Sequence, residues 1–299
     1  MSLASPANAL PARVLILGLG WSGRVLAAQL QARGVHVAGT VRDPASAPHD
    51  GVRRHQLRAD ATLSPALLDE VAQADAVLCS VPPDAEGDPA LRLVLPALQA
   101  SPALRWVGYL SSTSVYADRA GGWIDETSVT DATETAGGQR RLAEAQWRAL
   151  AEQRGIASAV LRLPGLYGPG RNALLQLAQG RARHVVRPGL VFNRLHVQDL
   201  AAVIIAAMQR PTRNAVYLPA DDEPAPPQDV LAFAAQLGGF AMPPAVAWDD
   251  PLLGPTLRRF YESNKRIDSR GTRAALGWKP QFPTYREGLR ALADADLRG

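Results

Sequence analysis

Cysteine is almost absent: Cys79 is the single one in 299 residues. One thiol cannot close a disulfide within the chain, which suits the reducing cytoplasm and predicts that location. Cys79 lies in the apolar run AVLCSV and reads as a buried strand residue rather than a nucleophile. Long hydrophobic runs are also missing; none approaches the ~18 residues that span a bilayer. The opening MSLASPANALPA has neither the basic nor the apolar segment of a secretory signal. Residues 1–11 are expected to form a flexible tail. Nor is one sign of charge in large excess: 32 basic and 28 acidic residues leave a net +4, spread along the chain. A nucleic-acid footprint needs a denser patch, although GRARHVVR (180–187) is suited to a phosphate. The five histidines do not have metal-ligand spacing, so no metal site is expected. What remains is a protein that acts on a small molecule, without nucleic acid or membrane, as a monomer or homodimer.

Hydrophobic residues make up 47% and charged residues 20%, a globular composition. Short apolar runs alternate with helical stretches. RVLILG (13–18), VHVAGTV (35–41), DAVLCSV (75–81), RWVGYLS (105–111) and ASAVLRL (157–163) read as buried strands. Between them, 22–34 and 64–74 read as helices, the second with Ser64 as N-cap and Pro65 at its first position. Continuous apolar strands separated by helices predict an α/β fold, a doubly wound parallel sheet covered on both faces. After residue 163 glycine, proline and arginine rise, before a helix at 197–210 and a strand at 214–219 return to the core.

LILGLGWSGRVLAAQL (15–30) places Gly18, Gly20 and Gly23 between a strand and a helix. Gly18 permits the tight turn, Gly20 lets the backbone approach a pyrophosphate, and Gly23 lets the helix pack on the strand. Trp21 and Ser22 open that helix, whose N-terminus faces the anion. In this context the pattern is a dinucleotide fingerprint and the sheet a Rossmann domain. The next strand ends in Thr40 and Arg42 rather than in an acid. Arg42 is suited to fork onto a 2′-phosphate with Thr40 adding a donor, which predicts NADP over NAD. Asp43 precedes Pro44 and is expected to point into the turn.

These features, with Asp60 in LRAD, LSSTSVY (110–116), WIDETS (123–128), LRLPGLYGPGR (161–171), RLHVQDLA (194–201) and the closing NKRIDSRGTRAALGWKPQFPTYREGL (264–289), resemble the extended short-chain dehydrogenase/reductase family, the NAD(P)-dependent epimerase/dehydratase group. The resemblance covers nearly the whole chain. It implies a Rossmann domain of residues 12–163 plus 191–220 and a smaller, discontinuous substrate lobe of 164–190 plus 221–299. It implies cofactor contacts from Asp60 and Ala61, from Ser80, Val81 and Pro82, from Ser111, and from Pro164 and Gly165. Ser112 takes the position of the catalytic serine. Thr113, Tyr167, Arg171, Asn193 and Arg194 fall on the substrate side.

The chain's main departure from the family lies at one helix start. A tyrosine and a lysine normally stand four apart at the start of the helix after the fifth strand, exchanging a proton and tuning its donor. ETAGGQRRLAE (134–144) offers Gly137 and Arg141, or, shifted by one, Ala136 and Arg140. Arg141 is taken here as the residue that replaces the lysine, and Tyr116 as the phenol beside Ser112. Thr113 and Ser114 stand where dehydratases carry Asp-Glu, which argues against sugar 4,6-dehydration. Phe192 replaces the usual arginine four before the histidine. Two readings stay open. One is an NADP-dependent oxidoreductase or epimerase acting on a carbonyl or hydroxyl of a small substrate, nucleotide-linked sugars included. The other is a catalytically silent NAD(P)-binding sensor or interaction protein.

Overall fold

The computed structural model describes residues 9–46, 50–133, 135–251 and 253–297. The expected tail therefore lies mostly outside the described residues.

The first half largely alternates strand and helix. Strand β1 (Arg13–Leu17) leads through the Gly-rich turn into α1 (Trp21–Gln31), followed by β2 (His36–Val41) and β3 (Arg53–Gln56). Helix α2 (Pro65–Gln73) starts as its sequence predicts: Ser64 Oγ accepts from Leu67 N at 3.2 Å, and Pro65 occupies the first turn. Then come β4 (Ala76–Cys79), α3 (Pro89–Ala100), β5 (Trp106–Ser112), the short β6 (Trp123–Ile124), α4 (Thr135–Arg154) and β7 (Ala157–Leu163). The second half contains β8 (Gly165–Tyr167), α5 (Ala173–Ala178), β9 (His184–Val186), β10 (Arg194–His196), α6 (Val197–Gln209) and β11 (Ala215–Tyr217). It closes with α7 (Pro227–Gly238), β12 (Ala245–Ala247), α8 (Pro255–Glu262), β13 (Arg266–Ile267), α9 (Arg270–Leu276) and α10 (Tyr285–Leu297).

Seven strands form one parallel sheet in the order β11-β7-β5-β4-β1-β2-β3. In β1, Val14 lies opposite both Val37 of β2 and Ala76 of β4. Alternate residues of β1 serve two cores. Val14 and Ile16 pack with Leu26 and Leu30 of α1 and with the apolar face of α6. Leu15 and Leu17 pack with Leu67 and Val71 of α2, Leu91 and Val94 of α3, and Trp147 of α4. Burying each such leucine contributes about 1.5–3 kcal/mol, which is why apolar β-branched runs were legible as sheet. This is the expected doubly wound α/β architecture, and its strand order contains the Rossmann order with one strand added. Strand β3, RRHQ, carries no apolar run of its own. It sits at the sheet edge, where only His55 turns inward and charged residues guard the open side.

The remaining elements gather over the C-terminal edge of the sheet. Strands β8 and β10 pair in parallel, Tyr167 opposite His196. A separate cluster joins Tyr167, Leu174 of α5, Leu231 of α7 and Tyr285 and Leu289 of α10. Asp199 accepts from Gln281 N (2.6 Å) and Phe282 N (3.0 Å) and ties the C-terminal segment to α6. His196 is the N-cap: its Nδ1 accepts from Gln198 N. Among the described residues no helix is long and apolar enough to cross a membrane.

Candidate active site

The Gly-rich turn is built as its spacing predicts. Gly18 has φ +85°, and a Cβ there would meet Val81 Cγ2 at 2.9 Å and Ser80 Oγ at 3.0 Å. Gly23 lies 3.3 Å, by the same construction, from Ile16 of β1. A Cβ on Gly20 would meet nothing within 4 Å, so the turn is open at that point. Helix α1 has no side-chain N-cap and no acid in its first turn. Its leading amides, those of Trp21 and Ser22 included, are therefore available to an anion. This cradle fits the pyrophosphate of a dinucleotide.

Two expected cofactor contacts are spent on the turn itself. Thr40 is buried, and its Oγ1 accepts from Gly18 N at 2.9 Å. It faces the turn, not a ribose, which corrects its assignment as a phosphate donor. Ser80 Oγ donates to Gly18 O, and Val81 and Pro82 continue over the same loop. Arg42 is exposed at the end of β2, and no ion pair or hydrogen bond of its guanidinium occurs among the described residues. Asp43 does turn inward on its own loop, accepting from Ala45 N. Asp60 is exposed and gripped by Arg58 through two bonds of 2.9 and 2.7 Å, which hold its carboxyl below the usual range. Ala61 is half-buried beside it.

At the end of β5 the alternation of the strand separates neighbours. Ser111 points down: it is buried and donates to Glu144 Oε1 at 2.6 Å. It belongs to an internal network and not to the cofactor face, a correction. Glu144 also receives Arg162 Nε (3.1 Å) and Nη2 (2.8 Å). Ser112 points up. It caps the short turn 113–115, accepting from Ser114 N at 3.1 Å.

Tyr116 does not stand beside Ser112. Its phenol is buried, donates to Asp125 O (3.2 Å) and accepts from Arg162 (2.9 Å). Burial raises its pKa further, so it is a core residue and not the acid. Helix α4 answers the register question. Arg140 donates to Leu110 O (2.9 Å) and to Tyr109 Oη (3.2 Å) at the strand end. Arg141, one step or 100° round the helix, is directed outward to Thr130 O. Arg140 therefore replaces Arg141 as the cation at this end of the sheet. The family's i, i+4 spacing contained that alternative in the shifted register. A Cβ at Gly137 would meet Ser114 O at 2.5 Å and Ala132 Cβ at 2.6 Å. The helix start is pressed onto the Ser112 turn, and the register that puts Arg140 in the lysine's place puts Ala136, which carries no hydroxyl, in the tyrosine's.

Two adjoining cavities open here. The smaller, of about 400 Å³, is lined by Ser112, Thr113, Ser114, Pro164, Gly165 and Lys265, among others. The larger, of about 900 Å³, carries Arg171, Arg181, Arg183 and Arg194, and no carboxylate lines it among the described residues. Tyr167 and Arg194 border both. The Tyr167 hydroxyl bonds Thr284 O, and burial raises its pKa. Arg194 donates to Phe192 O and Ala225 O, both at 3.0 Å. Asn193 has both ends of its amide committed, to Lys265 O and Ile267 N, and is a structural clamp rather than a substrate ligand. Arg171 lies 4.9 Å over the Trp21 ring, and Trp21 Nε1 donates to Pro169 O at 2.9 Å.

Residues 14–218 match the model of the NAD dependent epimerase/dehydratase family. The 3-diazoavenalumate denitrifying reductase of a Streptomyces species is 30% identical over 93% of this chain and 99% of its own. The structure of a conserved protein of unknown function from Silicibacter pomeroyi is 39% identical, with a TM-score of 0.86 over 95% of this chain and 99% of that one. The dTDP-glucose 4,6-dehydratase of Bacillus anthracis, solved with NAD, is 14% identical with a TM-score of 0.76, over 96% and 97% of the two chains.

Proposed function

Because the chain belongs to the NAD dependent epimerase/dehydratase family, we propose that it is an NADP-dependent reductase of a small anionic carbonyl compound. One observation carries the reading: the cavity that holds Ser112 runs directly into one lined by four arginines and no carboxylate. The dinucleotide, when bound, supplies a hydride. The α1 N-terminus receives its pyrophosphate, and Arg42 receives the 2′-phosphate. Arg140 stands as a fixed charge under the ribose, unable to give up a proton. Ser112 Oγ donates to the substrate oxygen, while Arg171, Arg181 and Arg183 hold the anionic end. The reductase named in Streptomyces supports the reductive direction.

Calorimetric titration with NADPH, NADH, NADP and NAD tests the cofactor, and a panel of carbonyl acids with NADPH tests the reaction. Arg42→Ala is expected to weaken NADPH about 10- to 100-fold and leave NADH unchanged, the worth of hydrogen bonds to a charged group. Equal loss for both nucleotides would remove the NADP assignment. A second reading, a silent dinucleotide sensor, is favoured by Ala136, which supplies no phenol four residues before Arg140. Turnover abolished by Ser112→Ala would exclude it.

A further inference from the structure

The chain contains thirty arginines and two lysines, Lys265 and Lys279. Lys279 is exposed. Lys265 is 8% exposed and lines the smaller cavity together with Ser112, Thr113 and Ser114. A chain that uses a guanidinium almost everywhere places an amine here. The physical difference is that arginine cannot lose its proton in a protein, whereas lysine can.

The backbone that carries Lys265 is pinned on each side. Asn264 N donates to Asp118 at 2.6 Å, Lys265 O accepts from Asn193 at 2.8 Å, and β13 pairs with β6. Its Nζ donates to Tyr116 O at 3.0 Å. That carbonyl ends the same short turn whose start is capped by Ser112. Hydroxyl and ammonium thus belong to two ends of one turn and to one cavity.

We propose that Lys265 is the proton donor of the site; this rests on the reductase reading. The carbonyl carbon gains a hydride from NADPH, its π pair passes to oxygen, and the oxygen takes a proton from Lys265 Nζ while Ser112 holds it. The amine regains a proton from solvent, so one carbonyl becomes an alcohol and one NADPH becomes NADP. The phenol that the family places four residues before its lysine, absent at Ala136, is thereby replaced by the amine of the residue that precedes β13.

Pyridoxal 5′-phosphate, an anionic aldehyde, probes the amine without turnover. The full chain is treated, reduced with borohydride and mapped by peptide mass spectrometry, with Lys279 as the internal reference. Lys265 is expected to label within about tenfold of the Lys279 rate. Labelling of Lys279 alone until the protein is unfolded would overturn the proposal, since the amine would then be sealed in a structural bond. Lys265→Met and Lys265→Arg are both expected to bind NADPH within about twofold of the parent. Both should lose about 100-fold or more in kcat on any carbonyl acid the parent reduces, the usual worth of a general acid. Arginine retaining activity within about threefold would show that charge alone is needed and would also overturn it. No NADPH binding by the parent would remove the reductase reading and the donor together. NADPH binding without Lys265 labelling would remove the donor alone.

Discussion

Glu144→Gln tests the network beneath the C-terminal end of β5. Glu144 is 2% and Arg162 5% exposed, so neither charge is hydrated. The carboxylate accepts three bonds, from Ser111 (2.6 Å) and from two nitrogens of Arg162 (3.1 and 2.8 Å). Glutamine keeps the shape but turns one acceptor into a donor facing the guanidinium, and leaves that charge buried without its counter-charge. Breaking a buried pair by one partner costs about 3–5 kcal/mol. A domain has only about 5–15 kcal/mol in total. The variant should therefore lose about a fifth or more of its unfolding free energy in urea titration. Replacing both partners, Glu144→Leu with Arg162→Met, should recover most of that loss, because two desolvated charges are removed together. A loss below about 1 kcal/mol for Glu144→Gln is what an exposed pair gives. That result would refute the assignment of this network as the support of Ser111 and Ser112.

Gly137→Ala should cost about 1–3 kcal/mol by overpacking against Ser114 O and Ala132, read as a lower urea midpoint; an unchanged midpoint would mean α4 does not press on that turn. His196 is held neutral by burial, its pKa lowered from 6.5 to about 4. Its contribution is complete above pH 6.5 and is lost as pH falls through about 4, amounting to about 3 kcal/mol. Unfolding titrations at pH 7 and pH 4 should show that loss, and His196→Asn should flatten it; an equally steep acid limb in the variant would count against His196 as its source.

The sheet was legible because its strands bury both faces, leaving uninterrupted apolar runs that no surface demand disturbs. Edge strand β3 was not legible for the converse reason: four polar residues, RRHQ, carry no core pattern. The geometry of the glycine turn was readable at Gly18 and Gly23, since φ at the first and close approach at both leave little room for a side chain. The side chains of Ser111, Thr40 and Asn193 were misassigned because position in a motif does not say which way a hydroxyl or amide points. That is decided by a neighbour elsewhere in the chain, as Glu144 decides it for Ser111. Arg140 and Arg141 differ by one residue in sequence and by inside against outside on the helix. Lys265 is remote in sequence from Ser112, Thr113 and Ser114, and the return of β13 to β6 brings it to them.

The indole of Trp21 belongs to the helix that faces a dinucleotide, yet its hydrogen bond ends on Pro169 and its π face on Arg171. One side chain is thus shared by the cradle of the cofactor and by the wall of the larger cavity. Any ligand that favours one position of that ring changes the affinity on the other side by the same factor, in both directions. A ligand that shifts the ring would thus tie the turn and the cavity into one thermodynamic unit, and a variant that keeps Trp21 alone of the six tryptophans would report it by emission.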